Sequence, residues 1–287
     1  MNAIFKREFK SYFTNLSGCL FIGVLLLFTG IFVTSVNLLN QYAAFEYAIE
    51  NVIIVFLLIV PLLTMRSIAE EKHSRTDTLL YSLPLKLSSV VLGKYFAMLA
   101  VFLIPIILMA FYPVILSAFG TVSYLNAYAS LFGFLLLGAA LISVCMFLSS
   151  LTESQVIAAV SGFAVSLLLY FMNALSTMIP GSAIVSFICF LAVSIVVALS
   201  LYCLTKNTTV SLIVGSVLVA LTVLLYVLNK NLFAGAFPSI LSSLALFERF
   251  YDFTYGIFNL KDVLFYLSFS SFFVFLTVKS LEKKRWN

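Results

Sequence analysis

Eight long apolar segments limit what this chain can become. They run at roughly 18–38, 46–66, 94–118, 125–149, 154–178, 182–204, 209–229 and 261–280. Each approaches the roughly 20 residues that carry an α-helix across the hydrocarbon core of a bilayer. None holds a charged residue deep in its middle, where one charge costs about 2.5–3.5 kcal/mol on insertion scales. The alternating, weakly apolar pattern of a membrane barrel is missing. With 63% hydrophobic and 9% charged residues, and a mean hydropathy of +1.17, an ordinary soluble domain is excluded. The expected fold is an all-α polytopic membrane protein, a single transmembrane domain over 1–287. It has about eight transmembrane helices, or a six-span core if segments six and seven, joined by "TKNTT", form a re-entrant pair.

An even number of spans leaves both termini on one side, and the basic residues say which. Thirteen of them, from Lys6, Arg7 and Lys10 through Lys86 and Lys94 to Lys283, Lys284 and Arg285, fall on the side of the termini. Only Lys230, Arg249 and Lys261 fall on the other. The positive-inside rule then makes the N- and C-termini cytoplasmic in a multi-pass protein of the cell membrane. The net charge of +5 is accounted for by this flanking pattern and is no sign of nucleic acid. Residues 1–17 contain "FKREFKSYF", in which aromatic residues are interspersed with basic ones, as suits an interfacial helix on membrane lipid. The four cysteines all lie in apolar runs with no CxxC spacing, so they read as buried thiols.

One stretch breaks the pattern. "MRSIAEEKHSRTDTLLYSLP", Met65 to Pro84, holds Arg66, Glu70, Glu71, Lys72, Arg75 and Asp77, together with the only histidine, His73. It is polar first and then apolar at Leu79, Leu80 and Leu83, helical spacing for one narrow stripe. Beyond Pro84, Leu87, Val90 and Val91 share a face, which reads as a helix at the membrane interface leading into span three. The residues allow a solvated loop or a short helix docked in another protein's groove. In the second cytoplasmic loop, "LTESQ" reads as a helix start, with Thr152 as the cap, Glu153 beside it and Gln155 completing a capping box.

The segment "PLLTMRSIAEEKHSRTDTLLYSLPLKLSSVVLGKYFA" resembles the stretch after the second span in ABC-2 type permeases, most of all the gliding-motility GldF-like branch. The resemblance is carried by Arg66, Glu70, Glu71, Thr76, Leu79, Leu80, Pro84, Gly93 and Lys94. "SSLTESQVIAAV" and "FYDFTYGIFNLKDVLFYLSF" resemble two further parts of such permeases. Arg75 stands where the family has a glycine, and Asp77 sits one place before the family's acidic position, which is Thr78 here. The resemblance implies a permease subunit of an ATP-binding-cassette transporter, most simply an exporter, with 67–93 as a coupling-helix region. The ATPase-coupling residues would be Arg66, Glu70, Glu71, Arg75, Thr76, Asp77, Leu79, Leu80 and Pro84. It implies two cytosolic ATPase subunits that bind ATP and Mg, so that this chain carries no cofactor, and a second permease, identical or related. An alternative is a complex that transmits force or signal to an external auxiliary protein without moving a substrate.

The sequence has no G-x-x-x-x-G-K-[ST], no HExxH and no GxSxG, so no intrinsic catalysis is expected and no metal site. The remaining candidates are weaker patterns. Glu46 and Glu50, four residues apart, share a face at the outer end of span two, as an acidic rim of a pathway or a solvated helix end. Asn173 in span five either faces the pathway or bonds a neighbouring helix. Ala158, Gly162 and Ser166 form a small-xxx-small stripe that fits a permease dimer contact or packing within the chain. Residues 230–260 are external yet apolar, and read as interfacial or re-entrant helices. Phe247, Phe250, Tyr251, Phe253 and Tyr255 would serve there as a gate or an anchor. The orientation is testable with single cysteines in a cysteine-free background and a membrane-impermeant thiol reagent. Position 75 should stay unlabelled in intact cells and label after permeabilisation; labelling from outside contradicts it.

Overall fold

The computed structural model describes residues 1–76, 86–205 and 208–286, and helices are the regular elements there. They are α1 (Asn2–Thr14), α2 (Ser17–Phe32), which continues as a π-helical stretch Val33–Leu38, α3 (Glu46–His73), α4 (Leu87–Met109), α5 (Tyr112–Leu116), α6 (Tyr124–Leu151), α7 (Gln155–Met178), α8 (Ala183–Thr205), α9 (Thr208–Leu228), a 3-10 turn Lys230–Phe233, α10 (Ala236–Ser243), α11 (Leu246–Thr254) and α12 (Leu260–Trp286). Six described helical stretches are long and apolar enough to cross a membrane: Ser17–Leu38, Glu46–His73, Leu87–Leu116, Tyr124–Leu151, Gln155–Met178 and Leu260–Lys283.

The chain forms two compact units. One comprises Met1–Leu168 with Arg249–Asn287, the other Leu169–Glu248. In the first, α3 and α6 are the most buried spans, and α6 packs against α3, α4 and α12. Lipid tails are as apolar as leucine, so close packing holds such helices together more than hydrophobic transfer does. The sequence supplies that packing with aromatic rings facing small residues. Phe56, Phe102 and Phe134 meet with centroids 4.7–5.5 Å apart. Gly138 of α6 leaves them room, since a Cβ there would lie 2.1 Å from the Phe102 ring. Leu20, Leu27, Ile54, Ile107 and Phe272 point outward and are exposed, as befits faces turned to lipid.

In the second unit α8 and α9 run antiparallel. Phe187 stacks on Tyr226 with centroids 4.4 Å apart, and a Cβ at Gly215 would lie 2.8 Å from Ala198. Phe233 of the 3-10 turn meets Phe187, Phe190 and Tyr226 edge-on and closes this cluster. After Leu228 the chain bends by 116° into the 3-10 turn and α10. Two short helices, α10 and α11, fall within 230–260.

Three local expectations are corrected. The helix of span two does not end near residue 66 but continues to His73. Leu87, Val90 and Val91 are buried rather than interfacial, because α4 begins at Leu87 and α1 covers its first turns. The cap of α7 is Ser154, whose Oγ accepts from the Ile157 N–H at 3.5 Å; Thr152 instead accepts from the Ser154 N–H at 3.2 Å and closes the preceding turn. For the core, Gly138→Ala should cost roughly 1–3 kcal/mol through overpacking. A thermal melt in detergent should show it as a lower midpoint.

Candidate functional site

The charges of the island converge with α1 at one end of the first unit. Lys94 lies in the second turn of α4 and its residue is only 2% exposed. Its ammonium forms ion pairs with Glu71 at 2.8 Å and Glu8 at 3.3 Å and donates to the main-chain carbonyl of Ser67 at 2.8 Å. Arg7 adds bonds to Glu8 at 2.5 Å and Glu71 at 3.1 Å. The carboxylate of Glu8 holds the Arg7 pKa above its ordinary value, against the opposing effect of burial. Two cations and two carboxylates from α1, α3 and α4 therefore close one neutral cluster. Gly93 explains how α1 comes so near, since a Cβ there would meet Ile4 at 3.0 Å. The Gly-Lys pair acts as a unit: the glycine admits α1 and the lysine binds it.

A second set of contacts joins α3 to the end of α6. The Ser149 hydroxyl accepts from the Ala69 N–H at 3.1 Å and donates to the Met65 carbonyl at 3.2 Å. Residues 65 and 69 are the two ends of one i→i−4 rung of α3, so this hydroxyl stands in the helix's own ladder. A side chain in that position is a known cause of helix bending. Pro61, one turn earlier, has no N–H to give. The buried Lys72 donates to the Ser150 carbonyl in the last turn of α6, where the helix dipole favours a cation. The foot of α3 thus shares its backbone bonding with both α4 and α6.

The end of α3 is a closed turn. The Thr76 N–H reaches the Glu71 carbonyl at 3.0 Å and the Arg75 N–H reaches the Lys72 carbonyl at 3.2 Å. With Arg75 at φ +56°, this is a Schellman motif with its left-handed residue at 75. Glycine takes that conformation without the cost that a side chain brings. Arg66, Ser67, Glu70 and Glu71 of α3 line a cleft of about 380 Å³ with Arg7, Glu8 and Lys94. Asp77, Leu79, Leu80 and Pro84 lie outside the described residues.

The other candidates are placed as follows. Ala158, Gly162 and Ser166 are buried within the first unit. A Cβ on Gly162 would lie 3.1 Å from Pro61 and 3.5 Å from the Cys145 sulfur, and Ser166 Oγ is 3.6 Å from that sulfur. Within this chain, Gly162 and Ser166 bring α7 against α3 and α6. Glu153 and Gln155 lie in and just after the turn between α6 and α7. Glu46 begins α3, half-buried, and Glu50 is half-buried one turn on. Asn173 accepts from Ser176 in its own helix, at the backbone oxygen (2.7 Å) and at Oδ1 (3.3 Å). Phe250 and Phe253 are fully buried, and Phe253 fills the space that a side chain on Gly133 would need. Phe247 packs edge-on against Tyr170 within the second unit, Tyr251 is half-buried and Tyr255 is exposed. Sequence reasoning missed Glu8, Ser149 and the Arg249–Asp262 ion pair of 2.7 Å that ties α11 to α12. Glu8 carried a signal, as the one acid in a basic helix; Ser149 carried none. Among the described residues, no group of three or more His, Cys, Asp or Glu is placed to hold a metal.

The model of the ABC-2 family transporter protein matches residues 29–182, more than half of the chain. No curated protein and no solved structure matches it. Two outcomes check the geometry. Lys94→Ala leaves the half-buried Glu8 and Glu71 with Arg7 as their remaining cation and should cost about 1–3 kcal/mol of stability, read as loss of folded protein in size-exclusion profiles. Arg75→Gly relieves a left-handed non-glycine residue and should stabilise by about 1 kcal/mol, read as a higher melting midpoint.

Proposed function

Since the chain belongs to the ABC-2 transporter family, and is thereby a membrane permease subunit of an ABC transporter, we propose that it works as an exporter whose charged end receives the stroke of a separate cytosolic ATPase. The placing of that end in the cytoplasm comes from the count of basic residues. The observation that carries the proposal is the Ser149 hydroxyl at the Met65–Ala69 rung. It gives α3 a preferred bending point between its apolar span and its charged foot. The foot, Arg66 to Thr76, leads directly into 77–85, which we propose as the element that meets the ATPase. Leu79 and Leu80 would provide its apolar contact, with Asp77 and Pro84 shaping the turn.

In this reading two permeases enclose a path and two ATPases close on ATP beneath them. Closure pushes on 77–85, α3 bends at its foot, and the ion cluster transmits the movement to α1 and α4. Such a transition is a shift between two packings of the same helices. ATP and Mg belong to the partner. An uncharged span interior suits an apolar or peptide-like cargo. The placing in the gliding-motility branch is also our reading, supported by the Arg66, Glu70–Glu71 and Gly93–Lys94 pattern. The test replaces both Leu79 and Leu80 with Asp. Membrane insertion should be normal while the ATPase no longer co-purifies. Full association and full ATP turnover in that double variant would place the contact elsewhere. Ser149→Ala should leave association intact and change turnover coupled to transport, since it removes the shared rung and not the docking surface.

A further inference from the structure

We propose that the cleft between α1 and the foot of α3 holds the headgroup of a zwitterionic phospholipid that carries a primary ammonium, with its phosphate on Arg66 and Ser67 and its ammonium on Glu70. The starting point is a count of charges. Of the six charged side chains lining the cleft, Arg7, Lys94, Glu8 and Glu71 neutralise one another. Arg66 and Glu70 remain. Among the described residues neither enters an ion pair or accepts or donates a side-chain hydrogen bond, although they are one turn apart. Arginine placed N-terminal to the acid is the poorer orientation for an i,i+4 pair. The Nε of Arg66 and the Oγ of Ser67 are both buried without a partner. Unmade bonds of this kind carry a desolvation cost that an incoming acceptor removes.

The ligand must therefore offer one anionic acceptor group and one cationic donor within a single molecule. A phosphate suits the guanidinium fork and the adjacent hydroxyl, and a primary ammonium with three N–H groups suits Glu70. A purely anionic headgroup leaves Glu70 opposed to it, and a quaternary ammonium has no N–H to donate. Depth agrees. Residues 46–65 of α3 precede Arg66 and extend about 30 Å as a helix, the thickness of the hydrocarbon core. Arg66 thus stands at the level of lipid phosphates. On a neighbouring face of α1, Phe5, Phe9 and Phe13 form a ladder with centroids 5.9 and 5.1 Å apart, as expected of a helix lying at that level. The cavity, about 380 Å³, lies in the range of roughly 300–1,000 Å³ usual for small-ligand pockets.

This goes beyond the transport reading and stands whichever way the ATPase docks. The experiment uses the full chain in mild detergent, with and without its co-purifying partners, stripped of lipid. It is titrated with phosphatidylethanolamine, phosphatidylglycerol and phosphatidylcholine of equal acyl chains. Bound lipid is counted by native mass spectrometry. The wild type should retain the ethanolamine lipid about tenfold better than the other two. Arg66→Gln and Glu70→Gln should each remove that preference. Arg66→Lys, which keeps the charge and loses the fork, should weaken it several-fold, and Ser67→Ala should weaken it while the melting midpoint holds. Equal retention of the three lipids by the wild type overturns the proposal, and so does an unchanged preference in the glutamine variants. Stronger binding of the glycerol lipid, or expulsion of the ethanolamine lipid on ATPase association, overturns it equally.

Discussion

The buried ammonium of Lys94 is the interaction on which the rest of the charged end depends. One side chain holds a carboxylate of α1, a carboxylate of α3 and a backbone carbonyl of α3. A lysine so placed is costly unless its charge is paired, and here it is paired with two carboxylates and bonded to one carbonyl from two other helices. Its neighbour Gly93 is as necessary, because any side chain there would push α1 away. The joint also explains why island residues far apart in sequence act at one place. Glu71 and Lys94 lie 23 residues apart in sequence, and the ion pair joins the end of α3 to the start of α4.

Around this joint α3 is built with uneven stiffness. Its middle is packed among Phe102, Phe134 and small residues of α6 and α7, and its foot shares backbone bonds with Ser149 and Lys94. A helix whose ladder is partly held by its neighbours moves with them. In the stroke we propose, the charged foot, the end of α6 and α1 respond together, because they share these bonds, while the aromatic core keeps its arrangement. The Schellman turn at Arg75 then fixes the direction in which the chain leaves the foot.

Much of the fold was legible because bilayer physics is strict. Apolar length and the exclusion of charge from span centres placed the helices. The Gly-Lys pattern, through its resemblance to ABC-2 permeases, pointed at the end where α1, α3 and α4 bring their charges together. What sequence reasoning misplaced depended on partners that periodicity does not reveal. Span two was cut at Arg66 because a charge usually ends a span, whereas Arg66, Glu70 and Glu71 sit at its foot within reach of α1 and α4. Phe250 and Phe253 looked like interfacial aromatics, since nothing local shows that Gly133 leaves a socket for one of them. The cap of α7 was assigned two residues early, because Thr152 and Ser154 offer the same hydroxyl and only geometry separates them. Ser149 is one serine among several in its helix, and its role appears only when α3 is beside it.

The most direct test of this account is a double-mutant cycle on Lys94 and Glu71, using Lys94→Met and Glu71→Gln. Unfolding free energies are measured for the wild type, both single variants and the double variant in one detergent. If Lys94 is the joint, the double variant should be more stable than the sum of the single losses predicts, with a coupling of about 1–3 kcal/mol. Additivity within about 0.5 kcal/mol would contradict it, and the charged foot would then be held by something other than this ion pair.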